Sequence, residues 1–193
     1  RDYGEAESAY KRALQLDKTN IGARSNLGTL YLITGNVIEA ENIFLELADM
    51  TEEPAPLLNL GRIYRDQKKF SELAALLQKV EKLNSKHPDF RYLSAEVAIE
   101  NLDFEDAYTH LMLGLKQYPN HSPLWASLAK IDVDLVQPVD FEEVCQRLVQ
   151  QRSESVFVLT HAISIARKKW YWFKLDELEN QLNRLLVEDN IDK

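Results

Sequence analysis

The side chains best suited to metal binding or nucleophilic work are four histidines, His87, His110, His121 and His161, and the single cysteine, Cys145. Their spacing supports neither chemistry. A metal site draws its ligands together in short sequence clusters, and a nucleophile needs a base within hydrogen-bond reach. His161 lies within the most apolar helical stretch, where a neutral imidazole making one hydrogen bond is expected. Cys145 is expected to pack as a small apolar residue on a helix. The acidic pairs Glu142-Glu143 and Asp132…Asp134 read as capping and solvated charges, because neighbours one or two apart on a helix do not face each other. No glycine-rich phosphate loop, nucleophile elbow or zinc-protease motif occurs. The chain is therefore assigned no catalytic role, no metal and no cofactor.

One further run, Arg167-Lys168-Lys169-Trp170-Tyr171-Trp172-Phe173, joins basic to aromatic residues. Such a cluster can grip an acidic partner, single-stranded nucleic acid or a membrane surface. The simpler explanation is structural: cations favour a helix C-terminus, and Trp170 and Phe173 close a last hydrophobic layer. The net charge of -8 also argues against a general nucleic-acid binder. Val156 to Ala166 is too short and too polar to span a bilayer, so no membrane insertion is expected. A lone cysteine excludes an internal disulfide framework and fits a reducing compartment. That points to the cytoplasm, and an upstream leader would make the protein periplasmic instead.

With no catalytic constellation to position, the elements themselves carry the information. At 45% hydrophobic residues the chain is too apolar for disorder, and six Gly and six Pro are few for a β-rich fold. Asn26-Leu27-Gly28-Thr29-Leu30-Tyr31 returns as Asn59-Leu60-Gly61-Arg62-Ile63-Tyr64. A period near 34 residues means stacked helical hairpins rather than one globular core. Gly28, Gly61, Ala95 and Ala129 are small where one helix crosses its partner, and Ala6, Ala40 and Ala107 answer them on the second helix. Gly35-Asn36 stops one helix, Asp103 caps the next, and Ser122-Pro123 reads as a cap with proline in the first turn. Asp140-Phe141-Glu142-Glu143 reads as a capping box. Pro138 should end the helix before it.

These residues resemble the tetratricopeptide repeat family. Leu27, Gly28, Tyr31, Ala40 and Phe44 match its pattern in the second repeat. Leu60, Gly61 and Tyr64 match in the third, Ala107, Gly114 and Pro119 in the fourth, and Trp125, Leu128 and Ala129 in the fifth. The resemblance implies an all-α fold, a right-handed α-solenoid of antiparallel hairpins with about eleven helices. It covers residues 1–152, opening on the second helix of a truncated repeat, so a longer protein is expected. Residues 153–193 read as a degenerate hairpin serving as cap or bridge. The uncovered N-terminal helix, with Tyr10, Ala13 and Leu14, is a route to self-association.

The resemblance also implies a protein or peptide partner held in a concave groove lined by the first helix of each hairpin. By register the groove takes Ser25, Asn26, Thr29 and Ile33, then Leu58, Asn59, Arg62, Arg65 and Asp66. It continues with Tyr92, Glu96, Ile99 and Glu100, then Ala126, Ser127, Lys130 and Asp134. Asn26 and Asn59 hold one place in successive repeats, where an amide can both donate to and accept from a peptide backbone. Related domains, including those of O-linked N-acetylglucosamine transferases, use an asparagine row in this way. The carboxylate clamp of the chaperone-binding subfamily is not matched, since Ser25 and Thr29 stand where its first Lys and Asn belong. Trp170 to Leu186 is similar to the turn and helix that end the repeats of bacterial glycosyltransferases of that kind. Two alternatives to a plain binding scaffold follow: a substrate-presenting accessory domain of a larger transferase, or a scaffold in bacterial envelope or polysaccharide-export machinery.

Overall fold

The computed structural model describes residues 2–83, 86–131, 138–151, 153–168 and 175–191. Among them are eleven α-helices and no strand. They are α1 (Tyr3–Leu16), α2 (Ile21–Ile33), α3 (Val37–Met50), α4 (Pro54–Asp66), α5 (Phe70–Lys82) and α6 (Pro88–Glu100). The remainder are α7 (Phe104–Gln117), α8 (Ser122–Leu128), α9 (Pro138–Gln150), α10 (Val156–Lys168) and α11 (Leu175–Ile191). Two compact units divide after Leu93, inside α6.

In the first unit each helix packs on the next, α1 on α2, α2 on α3, α3 on α4 and α4 on α5. The Leu-Gly pairs explain how. Leu27 and Leu60 are buried, and the glycine beside each lets a facing side chain reach the helix backbone. A Cβ on Gly28 would stand 2.9 Å from Phe44 Cζ, and one on Gly61 would stand 2.9 Å from Leu93 Cδ1. Phe44, Ala40 and Leu47 are fully buried behind that contact. By contrast α1 has no fully buried residue, and Tyr10, Ala13 and Leu14 are only half-covered.

In the second unit α7 packs on α8 and α9, α8 on α10, α9 on α11, and α10 on α11. Each hairpin thus rests on the one before it. Trp125 anchors this stack: it is fully buried, its ring lies edge-on to Phe141 at 6.4 Å, and its Nε1 donates to the Pro119 carbonyl at 2.7 Å. Cys145 on α9 is buried, and desolvation, with a lesser push from Glu142, lifts its thiol to about 12. A thiol so rarely ionised is a packing residue.

Four local expectations need correction. Helix α8 ends at Leu128, so Ala129 is an exposed cap rather than a small residue at a helix crossing. Pro138 does not close α8, which ends at Leu128; it opens α9, where its missing N–H leaves no intrahelical bond unmade. Asp140 accordingly lies inside the first turn of α9, not at its cap. Its carboxylate instead accepts from Lys116 Nζ at 2.5 Å and Tyr108 Oη at 3.0 Å, and the Lys116 bond holds it below the usual aspartate range. Finally, His121 rather than Ser122 occupies the cap of α8.

Three hairpin turns share one geometry. Gly35, Lys68 and Leu102 have φ of 82°, 58° and 61°, the left-handed region. In each, the next residue's N–H closes back five residues, Asn36 to Tyr31, Lys69 to Tyr64 and Asp103 to Ala98, at 2.8, 2.8 and 2.9 Å. This is the Schellman ending, which favours glycine. Asp103 then caps α7 through Asp106 N at 3.1 Å, as the sequence implies. Leu102 is 73% exposed, so its side chain gains little packing in return for its backbone conformation. Leu102→Gly is therefore expected to stabilise the protein by about 1 kcal/mol, and Gly35→Ala to destabilise it by a similar amount. Nothing lies within 4 Å of a Cβ at Gly35, so the second effect is backbone strain alone. Urea unfolding midpoints measure both; a destabilised Leu102→Gly protein would contradict the account.

Candidate functional site

On α2, Asn26, Thr29 and Ile33 fall at intervals of three and four and share one stripe. All three are exposed, while Ala23, Leu27 and Leu30 are buried on the side adjoining the stripe. Thr29 Oγ1 donates to the Ser25 carbonyl at 3.0 Å, leaving its lone pairs outward. On α4 the equivalent stripe begins at Asn59, which is half-buried, and passes through Arg62 to Asp66. Neither the Asn26 nor the Asn59 amide has a hydrogen-bond partner among the described residues. They hold equivalent register positions on successive first helices of the first unit.

The charged members of the expected groove behave differently. Arg62 Nη2 meets Asp89 Oδ2 at 2.7 Å, and Asp89 is buried. Arg65 pairs with Asp66 at 2.6 Å, donates to the Tyr92 hydroxyl, and lies 5.3 Å from the Tyr92 ring centroid. Tyr92 is 5% exposed and so is not an open groove residue. In the second unit Glu96 is 6% exposed, accepting from Ser127 Oγ at 2.6 Å and from Lys130 Nζ at 2.7 and 2.8 Å. Ser127 and Leu58 are buried too. Tyr92, Glu96, Leu58 and Ser127 are thus corrected from surface to interior. Arg65 on α4 meets Tyr92, and Ser127 on α8 and Lys130 just beyond that helix meet Glu96, so partners 27 to 34 residues away cover these two.

Asp89 is the residue that sequence reasoning missed. Placed just after Pro88 in the first turn of α6, it reads as an ordinary helix-start acid. Asp134 and residues 169–173 of the basic-aromatic run lie outside the described residues. Of that run, Arg167 pairs with Glu179 on α11 at 2.6 Å. His161 Nδ1 lies 2.8 Å from the Phe157 carbonyl, with its ring over Phe157 at 4.0 Å. Among the described residues no group of three or more His, Cys, Asp or Glu is placed to hold a metal ion. Among them too, no helix is long and apolar enough to cross a membrane.

Helical hairpins with a close Leu-Gly crossing, stacked at a period near 34 residues, define a repeat scaffold that works by presenting a surface to other proteins. The chain belongs to the tetratricopeptide repeat family, whose model matches residues 1–60 and 64–131. Among solved structures it is similar to YrrB, a TPR protein with an unusual peptide-binding site, at 14% identity and a TM-score of 0.57, with 92% of each chain covered. It is also similar to MamA at 14% identity and a TM-score of 0.49, covering 99% of this chain and 91% of that one. No curated protein matches it significantly.

Proposed function

We propose that the chain binds an extended segment of a partner protein on the first-helix face of its first unit, holding the peptide main chain through Asn26 and Asn59. One observation carries this reading: two amides at the same register on successive hairpins, Asn26 exposed and Asn59 half-buried, have no hydrogen-bond partner among the described residues. An amide offers both a donor and an acceptor, which is the pairing a peptide unit requires. Thr29 contributes an acceptor beside Asn26. Arg62 and Arg65 flank the face as positioned, already neutralised side chains. Tyr92 and Glu96 support the first helices from within, and Lys130, itself exposed, pairs with Glu96. In the same reading α10 and α11 form a helical cap on the second unit.

The test is to pan a phage-displayed library of random peptides on the immobilised protein and synthesise the peptides enriched. The double variant Asn26→Ala/Asn59→Ala is expected to bind them about tenfold to thirtyfold more weakly, at about 1 kcal/mol for each hydrogen bond. Its thermal midpoint should be unchanged, since exposed substitutions shift stability by less than about 0.5 kcal/mol. Equal binding by the double variant would remove the asparagines from the site.

A further inference from the structure

The two stripes of this face end differently. Seven residues beyond Asn26 stands Ile33, and seven beyond Asn59 stands Asp66; the next repeat has Glu100 at that place. Ile33 is 60% exposed, and Val37 and Ile38, just across the Gly35 turn, are exposed as well. A single exposed aliphatic side chain is unremarkable, but three within six residues at one hairpin end form a cluster. The cations that would otherwise dominate recognition are already committed, Arg62 to buried Asp89 at 2.7 Å and Arg65 to Asp66 at 2.6 Å. What remains unpaired on the face is neutral: two amides, the lone pairs of a hydroxyl and the Ile33 side chain, with Val37 and Ile38 following at the start of α3.

We infer that Ile33 is the specificity-determining residue of the site, and that the occupant is an uncharged extended peptide segment with one aliphatic side chain seated on Ile33. This rests on the peptide-binding reading above. The geometry sets the spacing. Seven residues of helix span about 10 Å along the axis, the length of about three residues of extended chain. A peptide that crosses from Asn59 to Asn26 and then turns to follow α2 brings the side chain about three residues past Asn26 over Ile33. Amides fix the main chain without selecting sequence, and the aliphatic contact supplies the selection.

The probe is a peptide selected on the wild-type protein, synthesised as a series with each residue changed to Ala. On wild type, one aliphatic position should lose about tenfold when changed. That loss should vanish on Ile33→Ser, whose fold is checked by circular dichroism. Asn26→Ala/Asn59→Ala should instead weaken every peptide of the series by a common factor. Affinity should change by less than about twofold between about 50 mM and about 500 mM salt, because no free cation is engaged. If the asparagine variant acts as stated but Ile33→Ser leaves every alanine penalty unchanged, the inference fails and the peptide-binding reading survives. If the asparagine variant has no effect, both fall together. A steep salt dependence overturns the neutral-ligand assignment. If sedimentation shows a dimer that Ile33→Ser dissociates, the occupant is a second copy of this chain and the proposal is wrong.

Discussion

Trp125→Ala is expected to cost about 3–5 kcal/mol, the largest effect of any single substitution considered. Several contributions point the same way. The indole is fully buried, so its removal forfeits the transfer energy of a large ring and leaves a cavity beneath α8. The edge-on contact with Phe141 at 6.4 Å goes with it, as does the 2.7 Å bond that satisfies the Pro119 carbonyl. A buried carbonyl left without its donor adds to the penalty. Trp125→Phe keeps the aromatic body and should cost less, with the lost Nε1 bond as the main difference. Helix α8 is only seven residues long and cannot hold itself together by its own backbone bonds. Hydrogen exchange should therefore rise first at α8 and at its packing partners α7 and α10. An Ala variant within about 1 kcal/mol of wild type in urea unfolding would show that α8 is not an anchor.

The positions of the helix crossings were legible in the sequence because they demand a residue type at a fixed place. Gly28 and Gly61 must lack a Cβ for Phe44 and Leu93 to approach, and the glycine stands at the same place in these two successive repeats. Asp103 was legible for a related reason: a cap needs an acceptor side chain immediately before the helix. Ala129 misled because residue type alone does not say whether the helix continues that far, and α8 stops one residue earlier. Asn26 and Thr29 were placed on the surface by register alone, and their exposure agrees. Register could not separate them from Tyr92 and Glu96, because it fixes the direction a side chain points and not what covers it. Covering depends on long-range pairings such as Arg62 with Asp89, 27 residues apart in sequence, and Glu96 with Lys130, 34 apart. The first of these has no counterpart in the repeat period and leaves no trace in a single sequence.

That pairing changes what substitution of Arg62 can mean. By register Arg62 stands beside Asn59 on the same helix, and a naive reading treats Arg62→Glu as a probe of ligand charge. The guanidinium is instead the counter-charge of a buried carboxylate, so Arg62→Ala should destabilise the protein by about 1–3 kcal/mol. The full cost of breaking a buried ion pair runs to about 3–5 kcal/mol. It is reduced here because the Arg62 side chain is 42% exposed and water can partly replace it at Asp89. Arg62→Glu should be worse than Ala, since it sets a second carboxylate against the first. The decisive measurement is a double-mutant cycle in urea unfolding. Asp89→Asn removes the charge that needs compensation, so Arg62→Ala should cost much less in that background than in wild type, a coupling of about 1 kcal/mol or more. Asn59→Ala, one turn away, serves as the contrast and should cost less than about 0.5 kcal/mol in either background. If Arg62→Ala proves as mild as Asn59→Ala, the arginine is free to meet a ligand, and the neutral character assigned to the binding face must be abandoned. If the coupling appears, any loss of peptide binding by Arg62 variants has to be corrected for the fraction unfolded before a contact is inferred from it.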